Sequence, residues 1–64
     1  MIETAIPTTL NGGPADGDVV DIPPNVSVVS LSCLGSGWAE YIKSPQGDWY
    51  FAAFAPQPLG YELS

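Results

Sequence analysis

The chain has 64 residues, with seven acidic side chains against one basic one, no histidine and a single cysteine, and its net charge is −6. That composition excludes an intrachain disulfide and a Cys/His zinc site, and it leaves too little positive charge to neutralise nucleic-acid phosphates or to hold an anionic membrane surface. A domain near this size buries only about 60% of the surface its unfolded chain exposes, and such domains usually add a disulfide, a metal or a partner. Without the first two, either a well-packed sheet or another chain must complete the core.

Residues 1–24 hold four of the seven prolines, three of the seven glycines and four of the seven acids. Proline favours extended and polyproline conformations, so this quarter reads as an extended, acidic, proline-rich N-terminal arm. It offers two candidate short strands, one near 2–6 and one near 18–22 (DVVDI). The opening MIETAIPTTL has neither the basic segment nor the apolar stretch of a secretory signal. The longest apolar run, Trp49 to Ala55, has seven residues, far short of the roughly 18 of a membrane span. A cytoplasmic site, or a place in a soluble assembly, is expected rather than secretion.

Residues 25–55 are the foldable part. Three segments, 26–34, 38–43 and 48–55, are rich in β-branched and aromatic residues with near period-2 alternation, and read as strands. Prolines and glycines between them leave no helical window. Ser44-Pro45-Gln46-Gly47 sets Pro for a type I turn and Gly for the left-handed residue after it, the signature of a three-residue hairpin loop with a glycine bulge. It pairs Lys43 with Trp49, Ile42 with Tyr50, Tyr41 with Phe51, Ala39 with Ala53 and Trp38 with Phe54. The Gly35-Ser36-Gly37 link is expected to pair Cys33 with Ala39, Leu31 with Tyr41 and Val29 with Lys43. The fold class is therefore all-β: a small antiparallel meander, which the strands near 2–6 and 18–22 could complete to an SH3-like barrel.

Stacking these registers sorts the side chains onto two faces. Val29, Leu31, Cys33, Ala39, Tyr41, Trp49, Phe51 and Ala53 form the expected core face. The other face mixes Ser30, Ser32, Glu40 and Ala52 with Leu34, Ile42 and three aromatics, Trp38, Tyr50 and Phe54. Those three are covered either by another protein or by the chain's own ends. The second choice includes residues 56–64, a proline- and glycine-containing tail with Leu59, Tyr61 and Leu63 free to pack.

Catalysis has little to work with. General acid–base and nucleophilic chemistry most often needs a histidine or a base beside a nucleophile. Cys33 has no cationic neighbour in sequence and reads as a small buried hydrophobe. Glu40 and Asp48 fall apart along the sheet. The acids Asp16, Asp18 and Asp21 sit among glycines, but the twelfth position from Asp16 is Ser27, where an EF-hand loop needs Glu. No enzyme, cofactor or metal site is expected.

Aromatics carry the strongest signal, because Trp and Tyr concentrate at interface hot spots. The expected function is that of a non-enzymatic interaction or structural accessory protein. It would dock on a larger assembly, such as a virus particle, through Trp38, Tyr50 and Phe54 with Glu40 beside them. The alternative is a small acidic inhibitor, such as one encoded by a virus, that blocks a basic site through Asp16, Asp18 and Asp21; nucleic-acid mimicry is a minor variant of it. In both cases the partner is a protein, with no direct contact to nucleic acid or membrane.

Overall fold

A computed structural model describes residues 4–33, 35 and 37–63. They form six strands: β1 (Ile6–Asn11), β2 (Val19–Ile22), β3 (Val28–Cys33), β4 (Gly37–Lys43), β5 (Trp49–Ala55) and β6 (Tyr61–Leu63), with one 3₁₀ turn, Gly13–Ala15, between β1 and β2. The strands make one mixed sheet in the order β2-β1-β5-β4-β3-β6, curled into a half-barrel. Neighbours are antiparallel except at β1·β5 and β3·β6, which are parallel.

The meander of β3, β4 and β5 lies where the sequence places it, with β3 starting at Val28. Its turn is held by Gly47 N–H on Ser44 O at 2.9 Å, Ser44 N–H on Asp48 O at 2.6 Å and Asp48 N–H on Ser44 Oγ at 3.1 Å. Gly47 has φ +97°, a conformation in which a β-branched side chain is strained. Gly47→Val should therefore lower stability by about 1–3 kcal/mol, which in a domain of this size is a fall of several degrees in Tm. An unchanged thermal melt would contradict this account of the turn.

The expected hairpin register holds for Lys43–Trp49, Ile42–Tyr50 and Tyr41–Phe51, and then breaks. A bulge leaves Ala52 unpaired, so Glu40 faces Ala53, Ala39 faces Phe54 and Trp38 faces Ala55. One extra residue moves every later side chain to the opposite face. Phe54 is thereby transferred to the core side, where its ring meets that of Phe51 edge-on at 5.1 Å.

The β3–β4 register also differs from expectation. Cys33 pairs with Gly37, Leu31 with Ala39 and Val29 with Tyr41, two residues away from the sequence-based alignment. An even slip leaves the faces unchanged. Gly37 begins β4 at φ +84°, and a Cβ there would stand 2.6 Å from the Ala55 carbonyl oxygen. Glycine thus lets the pairing with Cys33 begin at Gly37, two residues before the expected Ala39.

Residues 6–22 do not leave as an extended arm. They fold into the β1–β2 hairpin, in register Ile6–Ile22 to Thr9–Val19, and β1 joins β5 at Leu10–Trp49 and Asn11–Tyr50. The strand expected near 18–22 is β2. The one expected near 2–6 lies later, over Ile6–Asn11; residues 1–3 fall outside those described. Leu10 drives the docking, since it is fully buried. Pro7 is tolerated because its missing N–H points away from β2, where it leaves no ladder bond unmade. Pro23-Pro24 ends β2 in a turn closed by Val26 N–H on Pro23 O. Among the described residues β2 and β6 remain sheet edges, so the barrel is not closed.

The core is Leu10, Ile22, Val29, Ala39, Tyr41 and Trp49, capped by Ala15 of the 3₁₀ turn, with Val20, Val26, Leu31, Cys33, Phe51 and Leu63 packed around it. Every core-face residue expected from the meander is here except Ala53, which the bulge turns outward to an exposed position.

Candidate functional site

The face of the meander opposite the core is divided by the chain's own tail. From the end of β5, residues 56–60 run back across this face to β6, which pairs with β3 from Val29–Tyr61 to Leu31–Leu63. The tail is fastened to a buried polar pair. Ser30 Oγ donates to Glu40 Oε1 at 2.6 Å and accepts the amides of Leu59 at 3.0 Å and Gly60 at 2.9 Å. Glu40 Oε2 lies 3.4 Å from the Leu59 amide. Ser30 is fully buried and Glu40 is 4% exposed. A hydroxyl 2.6 Å from a carboxylate resembles an activated nucleophile, but here both lone-pair directions of Ser30 are occupied by backbone amides and no open space adjoins it. The pair is a structural anchor, since buried polar atoms must find partners.

Glu40, expected at the partner-facing surface, is therefore enclosed within the chain. Trp38, on the same face, is half-buried. Tyr50 is 47% exposed and lies directly opposite Ile42, 46% exposed, with the half-buried Val28 across the next strand. Tyr50 and Trp38 are four pair positions apart, about 13 Å along the strands, with Glu40 and its strap between them. Phe54, 57% exposed, is on the other side of the sheet. The aromatic trio is thus three separate features, and the open apolar pair is Ile42–Tyr50.

The three acids lie together on the N-terminal hairpin, all exposed. Asp16 Oδ1 accepts the Gly12 amide at 2.7 Å, Asp21 stands opposite Pro7 on the β2 edge, and Asp18 O accepts the Leu10 amide at 2.9 Å. Among the described residues no three His, Cys, Asp or Glu side chains are grouped to hold a metal ion, and no helix is long and apolar enough to cross a membrane.

Sequence reasoning missed two participants. Ile42 was assigned to the right face but passed over, because a single aliphatic between aromatics carries no distinctive signal. The Ser30–Glu40 anchor had a signal: a hydroxyl and a carboxylate on adjacent strands of an otherwise apolar sheet need a buried partner. No family model matches the chain, and neither a curated protein nor a solved structure shows significant similarity to it.

Proposed function

We propose that this chain is a non-enzymatic protein-interaction module, an accessory subunit that docks on a larger protein assembly. The observation that carries this reading is the Ile42–Tyr50 pair, two large apolar side chains left open on the face opposite the core, beside the strip that the chain's own tail crosses. Tyr presents much area with few torsions to freeze, which suits a hot spot. Trp38 and Phe54 stand apart from this pair, Trp38 beyond the tail strap and Phe54 on the other side of the sheet. A virus-particle component is one assembly that would fit.

The test is affinity capture from the source organism with the intact chain and with Tyr50→Ser. Tyr50 is about half exposed, so the substitution should cost only its cross-strand contact with Ile42, about 0.2–1 kcal/mol, and leave the chain folded. A protein retained by the intact chain and lost by Tyr50→Ser supports the reading; equal retention by both overturns it.

A second reading is favoured by the exposed acids Asp16, Asp18 and Asp21 gathered on the hairpin at one sheet edge. On this reading the chain blocks a basic site on another protein. Its binding would weaken steeply as salt rises, because exposed charges are screened beyond about 8 Å at physiological ionic strength. Docking through Ile42–Tyr50 would be nearly insensitive to salt.

A further inference from the structure

At the end of the half-barrel opposite Trp38 lies a groove of about 520 Å³, within the range of ligand sites. It is bordered by β1, by the Pro23-Pro24 link and by the β4–β5 turn, and its lining includes Ile6, Ile22, Val26, Trp49 and Lys43. Two further properties converge on it.

The first is an unpaired strand edge. Leu10 gives its amide to Asp18 O and receives that of Gly17 on its carbonyl, so its backbone groups face β2. Backbone groups alternate in direction along a strand, so the Thr9 N–H and the Pro7 C=O point the other way. β5 begins at Trp49, opposite Leu10. Along residues 7–9, therefore, β1 has β2 on one side and, among the described residues, no strand on the other, and both Pro7 and Thr9 line the groove.

The second is charge. Lys43 is the one Lys or Arg side chain of the protein. It is exposed and has no carboxylate partner among the described residues. Every other charged side chain of the sequence is a carboxylate. Screening restricts each charge to its own neighbourhood, so the groove is where an acidic group is attracted. Asp48 also lines it and disfavours a second acid.

We propose that this groove binds an extended peptide segment of a partner protein, which continues the sheet along residues 7–9 and places one acidic side chain on Lys43. Strand addition of this kind takes affinity from main-chain hydrogen bonds and specificity from side-chain pockets. The apolar lining accepts the flanking side chains. The site is distinct from the Ile42–Tyr50 surface, since Lys43 and Trp49 lie on the core side of the sheet. The two assignments therefore fail independently.

The probe is a blocked pentapeptide, Thr-Val-Glu-Val-Thr, titrated into the full ¹⁵N-labelled chain, with the Glu→Gln peptide as its partner. Saturable shifts are expected at the Thr9 and Asn11 amides and the Trp49 indole. The Gln peptide should bind about two- to fivefold more weakly, the range of an exposed ion pair. In Lys43→Gln the two peptides should bind equally. Absence of saturable shifts, shifts at Ile42 and Tyr50 instead, or equal binding of both peptides by the intact chain would overturn the proposal. The peptide comparison on the intact chain decides even if Lys43→Gln fails to fold.

Discussion

Tyr41→Ala should unfold the protein at room temperature or leave it barely folded. Tyr41 is fully buried at the centre of the core and meets Phe51 edge-on at 5.5 Å. Truncating a large buried ring costs about 3–5 kcal/mol, against a total stability of about 3–10 kcal/mol for a chain of this length. The hydroxyl has a separate role. It donates to Gly12 O at 2.7 Å and accepts the Ala15 amide at 3.0 Å, so it fastens the β1–β2 loop to the meander. The loop lies so close that a Cβ on Gly13 would stand 2.5 Å from the Phe51 ring.

Tyr41→Phe keeps the ring and removes the fastening. It should cost about 1–3 kcal/mol, because the buried Ala15 amide and the part-buried Gly12 carbonyl lose their partner. Amide exchange at Ala15 should rise with it, and unchanged exchange would mean that the hydroxyl does not hold the loop. Alkaline pH probes the same bond. Burial raises the Tyr41 pKa above its ordinary value, with the Ala15 hydrogen bond opposing it. For a group whose folded pKa is raised, the stability it contributes is intact below the unfolded value, about 10, and is lost as pH rises through the folded one. Denaturation midpoints of the intact chain should therefore fall above about pH 10, and that component should vanish in Tyr41→Phe.

Gly60→Ala should release the tail. No left-handed conformation is involved; the limit is space. A Cβ on Gly60 would collide with the Val28 carbonyl and with the Val28 side chain, and backbone cannot move aside as a flexible side-chain end can. Overpacking of this kind costs about 1–3 kcal/mol. The loss should be local: β6 has three residues, and its amides with those of Leu59 and Gly60 should lose exchange protection while β4 and β5 keep theirs. Release would uncover Ser30 and Glu40 together. Retained protection at Leu59 and Gly60 would show that the backbone at Val28 makes room for the added Cβ and that the tail stays fastened to Ser30.

Three strands of the meander and the turn of residues 44–47 could be read directly, because each depends on neighbours within a few residues: alternation for the strands, Pro and Gly for the turn. What escaped depends on distant partners. Parallel docking of β1 on β5 joins residues 38 or more positions apart, and no local pattern marks Leu10 as the residue that makes it. β6 is too short for alternation to register. The Ala52 bulge has no glycine to announce it, since an all-L strand can carry one. The candidate site suffered most from that last omission, because its aromatics were grouped by parity and parity changes at Ala52. Tyr50, which precedes the bulge, stayed where it was placed; Phe54, which follows it, did not.

The bulge also governs how this sequence should be aligned with others. Phe51 and Phe54 are three residues apart, yet they share one side of the sheet and their rings touch. In a strand of uninterrupted pleat, side chains three apart point in opposite directions. A related chain with one residue fewer at position 52 would keep the same aromatic contact only if its second phenylalanine stood two residues after the first. Position 52 is therefore where a gap belongs. An ungapped comparison would match inward residues to outward ones over the rest of β5 and make two identical sheets look unrelated.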